Sequence, residues 1–154
     1  MSGELNSLGV RPIEAGDKGT WLELWNGYLD FYETDLTEDQ TQLTWSRLLD
    51  PEFNMEGFVI DSENGIFGFA HYLFLPSTWT PVDYCYLEDL YVKEGARGAG
   101  AGRSLIDAVI AAARAKSSGR VYWTTQENNA RARVLYDSYT PVSNFVQYRL
   151  PQTY

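Results

Sequence analysis

The chain has 154 residues, 44% hydrophobic and 21% charged, with a formal net charge of −9; that fits one domain around one core and excludes a disordered polypeptide. The acidity argues against a nucleic-acid binder, which carries a basic footprint, and favours a cationic small amine or a basic peptide as partner, unless the carboxylates serve only solubility. No apolar run nears the ~18 residues that cross a bilayer, and Met1 to Val10 lacks the basic-then-apolar order of a leader, so the cytoplasm is the expected location and no membrane partner is expected.

Val10 to Ile13 reads as a short first strand. Asp17 can cap a helix to about Tyr32, in which Trp21, Leu24, Trp25, Tyr28, Leu29 and Tyr32 recur at spacings of three and four as one apolar stripe. A second helix spans Glu38 to Leu49, with Leu43, Leu48 and Leu49 on its buried side and Pro51 ending it. Gly57 to Asp61 is a strand, Glu63-Asn64-Gly65 a hairpin turn, and Ile66 to Leu75 the return strand, with Gly68 a candidate bulge. A loop with Pro76 and Pro81 leads to a central strand, Asp83 to Val92. Arg103 to Ala115 is a helix with Leu105, Ile106, Val109, Ile110 and Ala113 inward. Arg120 to Thr125 is a strand, Asn129 to Asp137 a short helix, and Asn144 to Leu150 a last strand. Strand, Gly-rich turn, helix and strand form a βαβ unit, so part of the sheet is parallel. The hairpin makes another part antiparallel, and helices cover both faces of an α/β (α+β mixed) fold.

Between the central strand and its helix lies Lys93-Glu94-Gly95-Ala96-Arg97-Gly98-Ala99-Gly100-Ala101-Gly102-Arg103. Small side chains let a ligand reach the main chain, and successive N–H groups at a helix start point at one place. Such a turn suits a pyrophosphate, or it is simply a tight connection. A Walker loop needs Lys-Ser/Thr after its last glycine, whereas Gly102 is followed by Arg103-Ser104. The Gly98-x-Gly100-x-Gly102 spacing also departs from the dinucleotide fingerprint.

Arg97-x-x-Gly100-x-Gly102 resembles the acyl-coenzyme A pyrophosphate loop of the GNAT superfamily of N-acetyltransferases. The preceding Tyr86 to Val92 (YLEDLYV) is similar to the fourth strand of the diamine (spermidine/spermine) acetyltransferases, and Asn129 to Tyr136 resembles the family's Asn-x-x-Ala-x-x-Leu-Tyr helix. Phe31-Tyr32-Glu33 and Tyr122-Trp123 resemble the small branch of fungal histone- and D-amino-acid-type enzymes. The likeness is strong from Ile66 to Tyr136 and weak over the first sixty residues. It implies a GNAT fold: a mixed, largely antiparallel sheet of six or seven strands in a single domain over residues 1–154. It implies acetyl-coenzyme A as co-substrate. Main-chain groups of Leu90, Tyr91 and Val92 would bond the pantetheine arm. Arg97, Gly98, Ala99, Gly100, Ala101, Gly102 and Arg103 would hold the pyrophosphate, and Asn129 and Ala132 would flank the arm. Tyr136 would aim its hydroxyl at the sulfur, and Tyr32 and Glu33 would border the acceptor channel. A homodimer is expected, since relatives of this shape pair or exchange the last strand, and the aromatic segment with Phe145, Tyr148, Leu150 and Tyr154 would otherwise leave an open edge. The family's Gly-Phe after the helix tyrosine is here Thr140-Pro141, so the chain turns differently there.

The chemistry asks for a base. An ammonium of pKa ~10.4 is neutral about once in 2,500 at pH 7, a deficit of roughly 4.6 kcal/mol. Regular alternation puts Glu88 on one strand face with Tyr84, Tyr86, Leu90 and Val92, and Asp89 on the other with Leu87 and Tyr91. In the diamine enzymes the position matching Glu88 is the base, acting through water. Asp89 would hold a cationic substrate, or both carboxylates would make structural hydrogen bonds at a bulge. Tyr136 has the phenol chemistry to protonate a departing thiolate. No metal is required. The one cysteine, Cys85, could be a nucleophile only with the one histidine, His71, as base, and an apolar setting favours a structural histidine. The leading expectation is transfer of an acetyl group to a polyamine, an amino acid or another lysine-like amine. The alternatives are acetylation of a histone tail or other basic peptide, and a catalytically silent acyl-coenzyme A-binding module.

Overall fold

The computed structural model describes residues 9–154, so most of the leader reading over Met1 to Val10 lies outside the described residues. The chain falls into two compact units, residues 9–123 and 124–154. The first unit holds a five-stranded sheet in the order β1-β2-β3-β4-β5, formed by Val10–Pro12, Glu56–Ser62, Gly65–Ser77, Thr80–Val92 and Val121–Tyr122. Neighbours are antiparallel except β4 and β5, which run parallel. The helices of this unit are α1 (Lys18–Phe31), α2 (Glu38–Leu49) and α3 (Ala101–Ala115), and the second unit holds α4 (Ala130–Asp137).

Helix α1 buries Trp21, Leu24 and Trp25, the stripe expected from its spacing. Asp17 does not cap it through its side chain. Its carboxylate instead takes both Arg11 nitrogens at 2.8 Å, and that guanidinium also reaches Asp61. Helix α2 is capped by the Thr37 hydroxyl, which accepts from the Gln40 N–H. Its buried side is Thr41, Trp45 and Leu48, while Leu43 faces out. These indoles stack: Trp21 lies 5.5 Å from Trp25 and 4.9 Å from Trp45, ring centre to ring centre. With Val59 and Phe69 beneath them they make the core on one sheet face. Helix α3 covers the other face with Leu105, Ile106 and Val109, all fully buried.

Two strand expectations are corrected. Pro76 and Pro81 do not mark a loop: β3 and β4 continue past them, with Ser77 opposite Thr80. Only Thr78 and Trp79 turn the hairpin, and the register slips between Leu75 and Ser77, an irregularity of the kind at which a strand accommodates proline. Among the described residues the sheet has five strands, not six or seven. Asn144 to Leu150 forms no strand among the described residues; it has no paired neighbour, and Phe145, Tyr148 and Leu150 are 81, 94 and 83% exposed. The irregularity foreseen near Gly68 is present, since Ile60 pairs Gly68 while Asp61 pairs Ile66. An added Cβ at Gly68 would stand 2.8 Å from the Tyr91 carbonyl oxygen, so only glycine fits there.

Candidate active site

The middle of β4 departs from regular alternation. Tyr72 pairs Leu87, yet His71 pairs Asp89, so Glu88 is one residue too many and forms a bulge. Before it, Cys85 and Leu87 are buried on the α3 side, as the contact of Lys116 with Phe74, the partner of Cys85, shows. After it, Asp89 and Tyr91 turn to the α1 side, where Tyr28 meets both. This corrects the expectation that Asp89 shares a face with Leu87. Glu88, the extra residue, is exposed and adjoins Asp89 in the chain. The Glu88 side chain reaches the surface, yet desolvation by the protein around it and then the negative charge of Asp89 push its carboxyl above its ordinary range.

Asp89 is tied down on both oxygens. Tyr28 donates its O–H to Oδ1 at 2.6 Å, and His71 Nδ1 lies 2.9 Å from Oδ2. Behind His71, the Trp21 indole N–H donates to Nε2 at 3.1 Å. His71 is 2% exposed, and its ring stacks on Phe69 at 4.4 Å. The phenols of Tyr28 and Tyr32 are both pushed upward, mainly by burial and next by Asp89, so both remain proton-bearing. The expected substrate contact at Asp89 is therefore already engaged by protein groups. The sequence marks Tyr28 as a stripe residue and His71 as a structural histidine or, less favoured, a base for Cys85. Nothing local signalled their meeting, because it joins α1, β3 and β4. Cys85 takes no part: it lies on the opposite face from His71, and burial pushes its thiol up to about 11.

Tyr32 and Glu33 end α1. Glu33 has φ +52°, and its N–H bonds the Asp30 carbonyl while the Thr34 N–H bonds that of Leu29, a left-handed helix stop usually given to glycine.

Downstream, β4 pairs β5 only at Cys85 and Tyr86, so the main chain of Leu90, Tyr91 and Val92 has no strand on that edge among the described residues. The turn then takes left-handed conformations at Gly95, Gly98 and Gly100, and a Cβ at any of the three would meet open space. Gly100 caps α3 with no side-chain acceptor. Ala99 is exposed, and Ala101, Gly102 and Arg103 form the first turn of α3. Uncapped N–H groups at the start of a long helix, beside small residues, suit an anionic phosphate group. Arg97 is held differently from the expected loop residue. Its Nε donates to the Val92 carbonyl at 2.9 Å, and its guanidinium lies over the rings of Phe31 and Tyr91 at 5.5 and 5.7 Å.

In the second unit, the Asn129 side-chain oxygen accepts from the Ala132 N–H at 3.3 Å, and its amide donates to Thr125. Asn129 is thus the cap of α4, the helix that carries Tyr136.

Comparison with known proteins gives one consistent answer. The model of the acetyltransferase (GNAT) family matches residues 21–139. The chain is 36% identical over 142 residues to the D-amino-acid N-acetyltransferase HPA3 of Saccharomyces cerevisiae, covering 91% of this chain and 88% of that protein. A probable acetyltransferase of solved structure superposes with a TM-score of 0.81 at 19% identity, over 94% of this chain and 97% of its own. An aminoglycoside acetyltransferase from an uncultured soil metagenomic sample, solved with sisomicin, gives 0.75 at 19% identity, over 94 and 95%. At such identities these two structures speak for the fold alone.

Proposed function

The chain belongs to the GNAT acetyltransferase family and is an N-acetyltransferase, and on that premise we propose that it moves an acetyl group from acetyl-coenzyme A to the primary amine of a small molecule, with Glu88 as proton acceptor and Tyr136 as proton donor. Acetyl-coenzyme A supplies, when bound, the activated thioester. The carrying observation is an acidic residue, Glu88, at a bulge of β4, next to an edge left unpaired among the described residues from Leu90 to Val92 and a turn of uncapped N–H groups.

The residues divide the work by their chemistry. The main chain of Leu90 and Val92 offers donors and acceptors to an extended amide-bearing arm, as an added strand would, while Tyr91, paired with Phe69, turns its main-chain groups to β3 and contributes only its place between them. Gly98 to Arg103 receive the pyrophosphate, and Arg97 buttresses the turn through Val92. Glu88 takes the proton that an ammonium must lose, directly or through water, and its raised carboxyl is better matched to that task than an ordinary one. The Tyr136 hydroxyl gives a proton to the leaving sulfur; that role rests on the Asn129–Tyr136 motif and on phenol chemistry. Asn129 holds its helix start, with Ala132 beside it. Tyr32 and Glu33, at the end of α1, stand on the acceptor side and favour a cationic group. We read both units as one transferase domain, since the family match runs through both. We also infer a homodimer, supported by the exposed apolar row Phe145, Tyr148 and Leu150.

The test is release of free thiol from acetyl-coenzyme A against a panel of amines. D-amino acids lead the panel, because the Saccharomyces relative bears that name; spermidine, lysine and a histone-tail peptide complete it. Turnover of a small amine is expected. Turnover of the peptide alone makes the chain a protein acetyltransferase. Coenzyme binding without turnover makes it a silent binding module.

A further inference from the structure

We propose that His71, acting through Asp89, is a positioning residue that decides which of two adjacent carboxyls carries the mobile proton. The inference rests on reading Glu88 as the proton acceptor. Two neighbouring carboxyls serve acid–base chemistry only if their environments differ. Here they differ by donors. Asp89 receives two, the Tyr28 O–H and the His71 Nδ1–H, and both lie within 3 Å. Hydrogen bonds to the charged form favour that form.

The charge state of the imidazole is what matters, and Trp21 governs it. An indole N–H is a donor and nothing else. Because it donates to Nε2, that nitrogen must present its lone pair, and the single ring proton is left on Nδ1, facing Asp89. A second proton on His71 would place a cation beside the pair and pull Glu88 down. The indole occupies the position that proton would need. Asp89 is thus held by neutral donors, and its negative charge stays available to make Glu88 the more basic partner. The groups facing the pair are Tyr28 and Tyr32 from α1, His71 from β3, and the two carboxyls of β4.

The sequence holds one histidine, so the imidazole nitrogen signals of ¹⁵N-labelled protein arise from His71 alone. At pH 7 the expected spectrum is that of the Nδ1–H tautomer. An Nε2–H or doubly protonated ring overturns the proposal. The second measurement follows the Glu88 carboxyl by ¹³C NMR, its signal identified by its loss in Glu88→Gln. In Asp89→Asn the Glu88 midpoint should fall by about one pH unit. In His71→Phe it should also fall, as the proton passes to Asp89. His71→Asn, whose amide can replace the Nδ1–H, should restore it. A Glu88 midpoint in His71→Phe equal to wild type overturns the proposal, whatever Asp89→Asn does. These readings need no turnover, so an inert amine panel would sink the enzyme assignment while leaving this result intact.

Discussion

At the residue scale, Glu88 carries the heaviest demand. Replacing it with Gln removes the proton acceptor and should lower kcat/KM by about 10²- to 10⁴-fold. The same change should leave the protein as stable or more stable near neutral pH. The sign follows from the raised carboxyl: the folded chain holds the Glu88 proton more tightly than the unfolded chain does. Both states are protonated at low pH, so the wild type bears no penalty there. The penalty grows as pH rises past the ordinary glutamate range and is complete above the folded value. Thermal melts of both proteins from pH 4 to 8 check this, and the gap between them should widen with pH. The residue types were legible in the sequence: two acidic residues in a hydrophobic strand ask for a reason. The side that Asp89 faces was not, because alternation counts residues and cannot see a bulge. His71 was legible only as buried, since its partners lie fifty residues upstream and eighteen downstream.

At the scale of elements, the turn into α3 invites a direct trial. Gly100 sits at φ +80°, with open space where a side chain would project. Gly100→Val should cost about 1–3 kcal/mol for a β-branched residue held there, and its methyls would stand before the helix N–H groups. The expected result is a KM for acetyl-coenzyme A raised at least tenfold, with a smaller change in the KM for amine, as measured in steady-state kinetics. Here the sequence was a good guide. Periods of three and four foretold α1 and α3, and the glycines foretold the turn. It misled at Pro76 and Pro81, which read as loop although a strand tolerates proline at an irregularity. It misled again at Asn144 to Leu150, whose apolar residues have strand character but no strand to join. Pairing is a property of neighbours, and no segment encodes its neighbour locally.

At the scale of the whole molecule, the exposed row from Phe145 to Leu150 is the feature a solvated chain tolerates least. Covering one such side chain is worth roughly 1.5–3 kcal/mol. Light scattering behind gel filtration should therefore report twice the chain mass, and Phe145→Asp with Tyr148→Asp should return it to one; a monomeric wild type would count against the dimer. The five-strand sheet has a further consequence for how this chain can change over time. Residues after Glu88 owe their side of the sheet to one supernumerary position, and β4 feeds directly into the turn and α3. Exchanging the glutamate for another residue preserves the parity of the strand. Deleting it does not: Asp89 and Tyr91 would swing away from Tyr28 and His71, and the phosphate turn would be reeled in by one residue. The fold can thus absorb a change in the identity of this position, with the loss of the proton acceptor, but not a change in its count.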